Sequence, residues 1–332
     1  MKTTALGIEN LCFPCHSHCR YCLLESCAKA TGTDYQRGKL FARRVYEEAG
    51  VKAPDLRVYY YIGYCMDDEN LSDYIGFSRE TGAPSGRFLQ LNGLRLRNSA
   101  ETGEMIRQLV SDGIRLIDLT FYGSREYHDR FAGRTGDFDY LLSILDAANR
   151  HGLEVHISVP LHRENFPQTN ELQEVLARSH HGEISFFLPH GKGRGKLLDA
   201  LRLTSDDLPK LSDRVKQQLG SYLTEGEWLK QKLQGPSESR VLTLSLKPEN
   251  IAQLESMSLE EIMGELERLD DQYYTAIPPV EELAARYGDP SGKRLYRRFR
   301  DLYLEWQQRY LAESGIDVWD MNDETHHFSV RI

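Results

Sequence analysis

Runs of β-forming residues alternate with amphipathic helical runs from the start of this 332-residue chain to residue 220. Strands that are each followed by a helix favour parallel βαβ units, because parallel neighbours need a long crossover connection. Such crossovers are right-handed, so the units are expected to curl into a barrel or a partial barrel. The predicted strands are 5–8, 56–62, 87–91, 116–121, 153–159 and 183–188, and the predicted helices between them include 35–49, 73–81, 101–111, 137–151 and 167–178.

Three cysteines stand close together in the loop after the first predicted strand. Cys15, Cys19 and Cys22 have C-x3-C-x2-C spacing, and the aromatic Tyr21 directly precedes the last of them. Thiolates are soft ligands that suit iron–sulfur clusters. Three thiolates can hold three irons of a [4Fe–4S] cube and leave the fourth iron open to a substrate or cofactor. The pattern therefore indicates catalysis more than electron storage.

Other uses of the cysteines are weighed by their spacing. All six cysteines lie at or before Cys65, and no apolar signal segment precedes them, so a disulfide framework is not expected. Cys12 forms a second C-x2-C pair, but zinc sites usually have a longer insert between such pairs. A ferredoxin-type cluster has C-x2-C-x2-C spacing instead. A non-catalytic Fe–S electron carrier or a zinc-binding protein stays open as the alternative of another class.

A second motif runs from Asp118 to Phe138, after the fourth predicted strand. Together with the cysteine motif, it resembles the radical S-adenosylmethionine (radical SAM) superfamily, and specifically the core of its SPASM-type peptide-modifying branch. The resemblance spans residues 5–200 and implies an α/β fold with a partial (β/α)6 TIM barrel, to which the sequence pattern after residue 220 adds a mostly helical C-terminal extension. It implies that Cys15, Cys19 and Cys22 hold a [4Fe–4S] cluster and that S-adenosyl-L-methionine (SAM) chelates the fourth iron. Reductive cleavage of SAM would give a 5′-deoxyadenosyl radical that abstracts hydrogen from a substrate.

The end of the second strand is expected to carry site residues, because reactive groups in such folds lie at the C-terminal ends of strands. Gly63 aligns with a SAM-binding glycine segment of the family, although the second Gly and the Glu of that segment are not evident. Cys65 is a candidate hydrogen-atom donor, and its alternative is a small buried hydrophobe. Asp67 and Asp68 are candidate catalytic acid/base or substrate groups, and their alternative is a pair of solvated carboxylates.

Further positions are expected to contact SAM. Asn92 after the third strand suits hydrogen bonds to an adenosyl or methionyl group, although Asn-Gly is also a turn signal. Thr120 matches the hydroxyl residue that contacts SAM in the family. Ser158 and Arg163 are candidates for the SAM carboxylate, and a guanidinium can hold a carboxylate with two hydrogen bonds. Tyr21 is placed with these cofactor-binding residues.

The chain is predicted to divide at residue 220. Residues 1–220 form the radical SAM core, and residues 221–332 form a mostly helical C-terminal extension that is a candidate substrate or cap region. Ser258 and Glu261 form a capping box that opens a helix. The extension has no cysteine, so an auxiliary cluster of the SPASM kind is not expected there. Other elements predicted in it are helices at 223–233, 279–287 and 292–314 and a strand at 241–246.

Composition limits the partners. A formal net charge of −9 argues against broad nucleic-acid binding, and the basic cluster between Lys293 and Arg300 is taken as a solvated helix face. No apolar run is long enough to cross a membrane, and a cytoplasmic location is expected. The leading hypothesis for the substrate is a ribosomal peptide, and the alternative is a small metabolite or antibiotic precursor. An electron donor such as flavodoxin or ferredoxin is expected.

Overall fold

The computed structural model describes residues 2–12, 15–22, 32–64, 67–179, 182, 184–189, 193–233 and 239–318. The strands β1 to β9 are Lys2–Cys12, Arg57–Tyr64, Phe88–Gln90, Leu116–Thr120, Glu154–Pro160, Ile184–Phe187, Leu223–Thr224, Ser239–Leu246 and Leu295–Tyr296. The helices α1 to α12 are Tyr35–Lys52, Leu71–Glu80, Ser99–Ser111, Arg125–Ala132, Asp137–His151, Thr169–Leu176, Asp213–Leu219, Glu225–Trp228, Ile251–Ser256, Leu259–Ala276, Val280–Tyr287 and Phe299–Ser314.

The longer strands form two parallel sheets. In one sheet β1 lies between β2 and β8, and in the other the order is β3, β4, β5 and β6. Every pair in these two sheets is parallel. Among the strands of the described ranges, no hydrogen-bonded ladder joins the two sheets into a closed barrel. The predicted α/β class, with parallel strands in an unclosed barrel, is confirmed.

Strand β8 lies beside β1, although its residues fall in the predicted C-terminal extension. The two strands pair from Lys2 to Asn10 of β1. Leu242, Leu244 and Leu246 of β8 are buried in the same core as β1, which the alternation of leucine with Thr and Ser explains. One sheet therefore contains strands from both sides of the predicted boundary at residue 220.

The two faces of the β3–β6 sheet differ in polarity. Alternate residues of its strands point to opposite faces. The apolar set packs in the main core with residues of α3 and α5, and it consists of Ile117, Leu119, Val155, Ile157, Val159, Ile184 and Phe186. The alternate positions form what we call the polar face, which consists of Asp118 and Thr120 of β4, His156 and Ser158 of β5, and Ser185 of β6.

The C-terminal helices form a second apolar cluster and correct two predictions. This cluster includes Leu283 of α11 and Trp306 of α12. The helix predicted at 292–314 is wrong before residue 299, because Leu295 and Tyr296 form β9, which pairs antiparallel with β7. For the same reason the helix predicted at 223–233 is reduced to α8, which ends at Trp228. The predicted capping box at α10 is confirmed.

Within the described ranges, none of the helices combines the length and the apolar character that a membrane crossing requires. The basic cluster of the sequence is held in ion pairs. Lys293 contacts Asp206 at 2.6 Å, and Arg294 contacts Asp199 at 2.6 Å. Neighbouring carboxylates therefore offset part of its positive charge.

Candidate active site

The backbone of the cysteine loop is bonded to two other loops. The His16 N–H donates to the carbonyl of Gly93, just after β3, at 2.8 Å. The His18 N–H donates to the carbonyl of Ala132, at the end of α4, at 2.8 Å. A third bond of 2.9 Å, from the N–H of Arg20, reaches the same helix end. The loop leaves β1 in one sheet and is therefore fixed against elements of the other sheet.

The residue that follows α4 must be small for this docking. Gly133 has a φ of +65°, in the left-handed region that favours glycine. A Cβ atom added there would lie 3.0 Å from the carbonyl oxygen and from the Cβ of His18. The glycine thus ends the helix and also lets the cysteine loop approach it closely.

Tyr21 is packed rather than presented to solvent. It is 9% exposed and lies in an apolar cluster with Tyr122, Tyr127 and Phe131. The aromatic residue before the last cysteine therefore helps to seat the loop. Its predicted contact with the cofactor stays a prediction.

The three predicted ligand cysteines are half-buried thiols. Burial, and to a smaller extent the nearby Cys15 and Cys22, raises the pKa of Cys19 to about 12. The hydroxyl of Tyr122 donates a hydrogen bond of 3.4 Å to the Cys19 Sγ, which acts in the opposite direction. The fold thus brings Cys15 and Cys22 within electrostatic range of Cys19. In the portion of the chain that the structure describes, no group of three or more His, Cys, Asp or Glu side chains is arranged to hold a metal ion.

A buried hydrogen-bond network lies beside the loop. The hydroxyl of Tyr127 donates to Glu164 Oε2 at 2.9 Å and lies 3.2 Å from His162 Nε2. The N–H of Glu164 donates to His162 Nδ1, which places the ring proton on Nε2. Burial lowers the pKa of His162 to about 4, so the ring is neutral at pH 7. Arg20 of the cysteine loop pairs with Glu164 at 2.9 Å and so ties the loop to the segment after β5.

Asn92 bonds to the backbone at the end of β4. Its Nδ2 donates to the Thr120 carbonyl at 3.0 Å, and the Thr120 N–H donates to its Oδ1 at 2.7 Å. The Asn92 side-chain amide thus bonds to the β4 backbone as a peptide group of a neighbouring strand would. This pairing positions the turn at Gly93. The hydroxyl of Thr120 accepts a long bond of 3.4 Å from Gln90. SAM contacts by Asn92 and Thr120 stay predictions.

Ser158 and Arg163 are already engaged by carboxylates. The hydroxyl of Ser158 donates to Asp118 Oδ2 at 2.8 Å. A hydroxyl has one proton to donate, so in this arrangement Ser158 offers a ligand only acceptor lone pairs, not the donor that a SAM carboxylate needs. The Arg163 Nε donates to Asp207 Oδ2 at 3.2 Å. The two residues predicted to hold the SAM carboxylate therefore have other partners in this structure.

The described residues at and just after the end of β2 have structural roles. Gly63 pairs with Leu11 of β1. Cys65, the candidate hydrogen donor, lies outside the described residues. Asp68 accepts from the Asn70 N–H at 2.7 Å, just before α2 begins. This Asp68 carboxylate therefore shapes the entry into the helix.

Asp67 connects three loops. Its carboxylate pairs with Arg97 and accepts from the backbone N–H of Arg95, in the segment after β3. The Nε2 of His16 in the cysteine loop lies 3.7 Å from it. Asp67 is 8% exposed at its side chain. Asp67, which was predicted to be catalytic, thus links the segment after β3 to the cysteine loop.

Two groups of this region were not predicted from the sequence. Tyr122 contacts Cys19, and the chain Asp118–His156–Ser185 crosses three strands of the polar face. Polar residues two apart within strands β4 and β5 were the available signal, because such residues share one face of a sheet. The Tyr122 contact had no such signal, since it joins residues 103 positions apart.

No family model and no curated relative matches this chain. Comparison with solved structures finds native anSMEcpe with bound AdoMet, with 14% sequence identity and a TM-score of 0.44. The match covers 64% of this chain and 60% of that one. The same protein with bound AdoMet and Cp18Cys peptide matches with 14% identity, 64% and 58% coverage and a TM-score of 0.42.

A further match has a different extent. Coproporphyrinogen III oxidase (HemN) from Escherichia coli, described as a radical SAM enzyme, has 11% sequence identity with this chain and a TM-score of 0.44. The match covers 93% of this chain and 90% of that one. The chain is thus similar in structure to enzymes that are described as binding AdoMet or as belonging to the radical SAM group.

Proposed function

We propose that this chain is a radical SAM enzyme in which Cys15, Cys19 and Cys22 hold a [4Fe–4S] cluster. The observation that carries the proposal is a set of three thiols, with Cys19 in electrostatic range of the other two, in a loop bonded to the residue after β3 and to the end of α4. Soft thiolate donors in this number fit such a cluster. When bound, the cluster and SAM supply a 5′-deoxyadenosyl radical through reductive cleavage of SAM.

The residues around the loop support that chemistry by fixing the ligands. The Tyr122 hydroxyl bonds to the Cys19 sulfur, and such bonds to ligand sulfurs tune a cluster. Asn92 holds the turn that accepts the backbone bond from His16. Thr120, the last residue of β4, is the register partner of Ser158 on β5. In this proposal they line the SAM site, where Ser158 accepts a hydrogen bond from a donor group of the ligand.

The substrate in this proposal is a ribosomal peptide, supported by the motif between Asp118 and Phe138 that resembles the peptide-modifying branch. The absence of cysteine after Cys65 favours the second candidate, a small metabolite or antibiotic precursor, because SPASM enzymes carry further cluster cysteines. A flavodoxin or ferredoxin in the cytoplasm would supply the electron.

The test is anaerobic reconstitution with iron and sulfide, reduction, and measurement of 5′-deoxyadenosine released from SAM. The wild type is expected to bind iron and release the nucleoside, and Cys15→Ala, Cys19→Ala and Cys22→Ala are each expected to abolish release. Cys12→Ala is the matched control and is expected to keep both iron and activity. Iron binding without SAM cleavage would indicate an electron carrier, and zinc in place of iron would indicate a zinc-binding protein.

A further inference from the structure

A hydrogen-bonded chain of three side chains crosses the polar face. Asp118 Oδ2 lies 2.6 Å from His156 Nδ1, and His156 Nε2 lies 2.8 Å from Ser185 Oγ. The first two residues are direct cross-strand partners on β4 and β5, and Ser185 lies on the next strand, β6. The three hydrogen-bonded side chains are thus positioned by paired strands and not by loops.

The direction of the hydrogen bonds follows from the chemistry of the groups. A carboxylate can only accept, so the Nδ1 of His156 carries the ring proton and donates to Asp118. In the neutral form of the ring Nε2 is then the acceptor, and the Ser185 hydroxyl donates to it. This is the arrangement in which an imidazole acts as a base at Nε2, because the carboxylate stabilises the imidazolium that forms.

Two of the three residues lie below the residues proposed for SAM. Asp118 precedes Thr120 by two residues, and His156 precedes Ser158 by two, so the Asp118–His156 pair sits about 6.6 Å deeper along the strands. Ser185 is the register partner of Ser158 and lies at its level. The Asp118 side chain is 9% exposed, whereas the His156 side chain is 33% exposed. The carboxylate is thus enclosed, while the imidazole keeps an open side on this face.

We propose that His156, oriented by Asp118, is a proton-transfer residue that serves a hydroxyl group of the substrate. The Ser185 Oγ lies at Nε2 within the distance that proton transfer needs, and in this proposal the substrate hydroxyl replaces it there. Asp118 of β4 is a charged group in contact with the ring, and β6 presents the neutral Ser185. The reaction that this transfer serves rests on the proposed radical SAM function.

The transfer is balanced as a proton movement alone. The substrate O–H bond breaks, its electron pair stays on the oxygen, and the proton forms an N–H bond at His156 Nε2. The imidazolium keeps its Nδ1–H bond to Asp118 and later returns the proton to solvent or to product. No oxidant or reductant is required for this step.

Diethyl pyrocarbonate, which acylates accessible neutral imidazoles, tests the site on the full-length protein. Peptide mass spectrometry would follow acylation of each histidine against pH. His156 is expected to react, as is the exposed His151, whereas the fully buried His128 is expected to stay unmodified. Asp118→Asn is expected to lower the pH midpoint for His156 by about one unit, because it removes the negative charge beside the imidazolium. A His156 as unreactive as His128, or a midpoint unchanged in Asp118→Asn, would overturn the proposal.

A matched pair of probes tests the substrate class. Saturating N-acetylserinamide is expected to slow acylation of His156 several-fold and N-acetylalaninamide is not, because they differ by one hydroxyl. Equal effects of the two probes would overturn the assignment of a hydroxyl. The acylation result is independent of SAM cleavage. If the wild type released no 5′-deoxyadenosine while His156 behaved as expected, the radical function would fail and the proton-transfer site would stand.

Discussion

At the scale of single residues, the fold holds the Cys19 thiol in its protonated form. Burial raises its pKa to about 12, and only the thiolate reacts with alkylating reagents. In the metal-free protein at pH 9, iodoacetamide is therefore expected to modify Cys19 much more slowly than in the same protein unfolded in urea. Tyr122→Phe should slow the reaction of Cys19 further, because the hydrogen bond that it removes stabilises the thiolate. Mass spectrometry of timed samples measures this, and equal rates for Cys19 in the folded and the unfolded protein would contradict it.

The protonation of the Cys19 thiol also affects the uptake of iron. Cysteine binds iron as the thiolate, so metal binding at Cys19 must release a proton that burial holds tightly. We expect iron uptake during reconstitution to rise between pH 7 and pH 9. Iron per chain, measured at each pH, checks this expectation. Uptake that is flat over this range would show that proton release does not limit loading.

His162 makes stability depend on pH. Burial lowers its pKa from 6.5 to about 4, so between these values the unfolded chain binds a proton that the folded chain does not. Stability is therefore expected to fall as the pH drops through this window, by about 2 kcal/mol between pH 7 and pH 5. Urea unfolding at the two pH values measures the loss.

Two matched variants separate the contribution of the His162 ring to the pH dependence of stability from that of other groups. His162→Phe keeps an aromatic ring stacked near Phe131, which lies 5.6 Å away, and removes the titrating group. Its pH-dependent loss is expected to shrink by the contribution of His162, whereas the exposed His151→Gln keeps the full loss. An unchanged pH dependence in His162→Phe would assign the effect to other groups.

At the scale of elements, two glycine variants can separate the effect of the contact between α4 and the cysteine loop from the effect of backbone strain. Gly133 and Gly152 both end helices with φ near the same value, +65° and +68°. A Cβ at Gly133 would meet His18, and a Cβ at Gly152 would meet nothing within 4 Å. Gly133→Ala and Gly152→Ala are each expected to lose about 1 kcal/mol from the left-handed backbone.

Only the first of these variants is expected to reduce iron content after reconstitution, because only its side chain pushes against the cysteine loop. Thermal unfolding and iron analysis on the same samples separate the two effects. If both variants bound iron as well as the wild type, the close approach at Gly133 would not matter for the cluster.

The elements show which parts of the fold could be predicted from sequence. The helix predicted at 137–151 agrees with α5, because its apolar stripe and its stop at Gly152 are local signals. The helices predicted at 223–233 and 292–314 failed where β7 pairs with β9, since this pairing joins segments far apart in sequence. The strand at 241–246 was predicted, but its place beside β1 had no local signal.

The site divides in the same way. The spacing of Cys15, Cys19 and Cys22 sufficed to predict three thiols in one loop. The partners of Asp67 and Arg163 are set by tertiary contacts, with Arg97 and Asp207, so their engagement was not visible in the sequence. Some side chains at strand ends that were predicted to bind cofactor or substrate are thus bonded to other residues of the protein.

At the scale of the whole molecule, β8 makes the C-terminal region part of the core. Leu244 is 2% exposed and Val241, on the other face of the same strand, is 44% exposed. Leu244→Ala is expected to cost about 2–5 kcal/mol, whereas Val241→Ala is expected to stay within about 0.5 kcal/mol of the wild type. Denaturant unfolding measures both. Similar values for the two variants would show that β8 contributes little to the sheet.

The bonds from the cysteine loop to Gly93 and Ala132 also bear on the order of events in the cell. Their partners lie more than seventy residues along the chain, one after β3 and one at the end of α4. Under the proposed function, synthesis therefore has to proceed past α4 before the cysteine loop is held in place to receive a cluster. Cluster delivery would then be a late step of maturation, and a donor would meet a nearly finished fold rather than a nascent peptide.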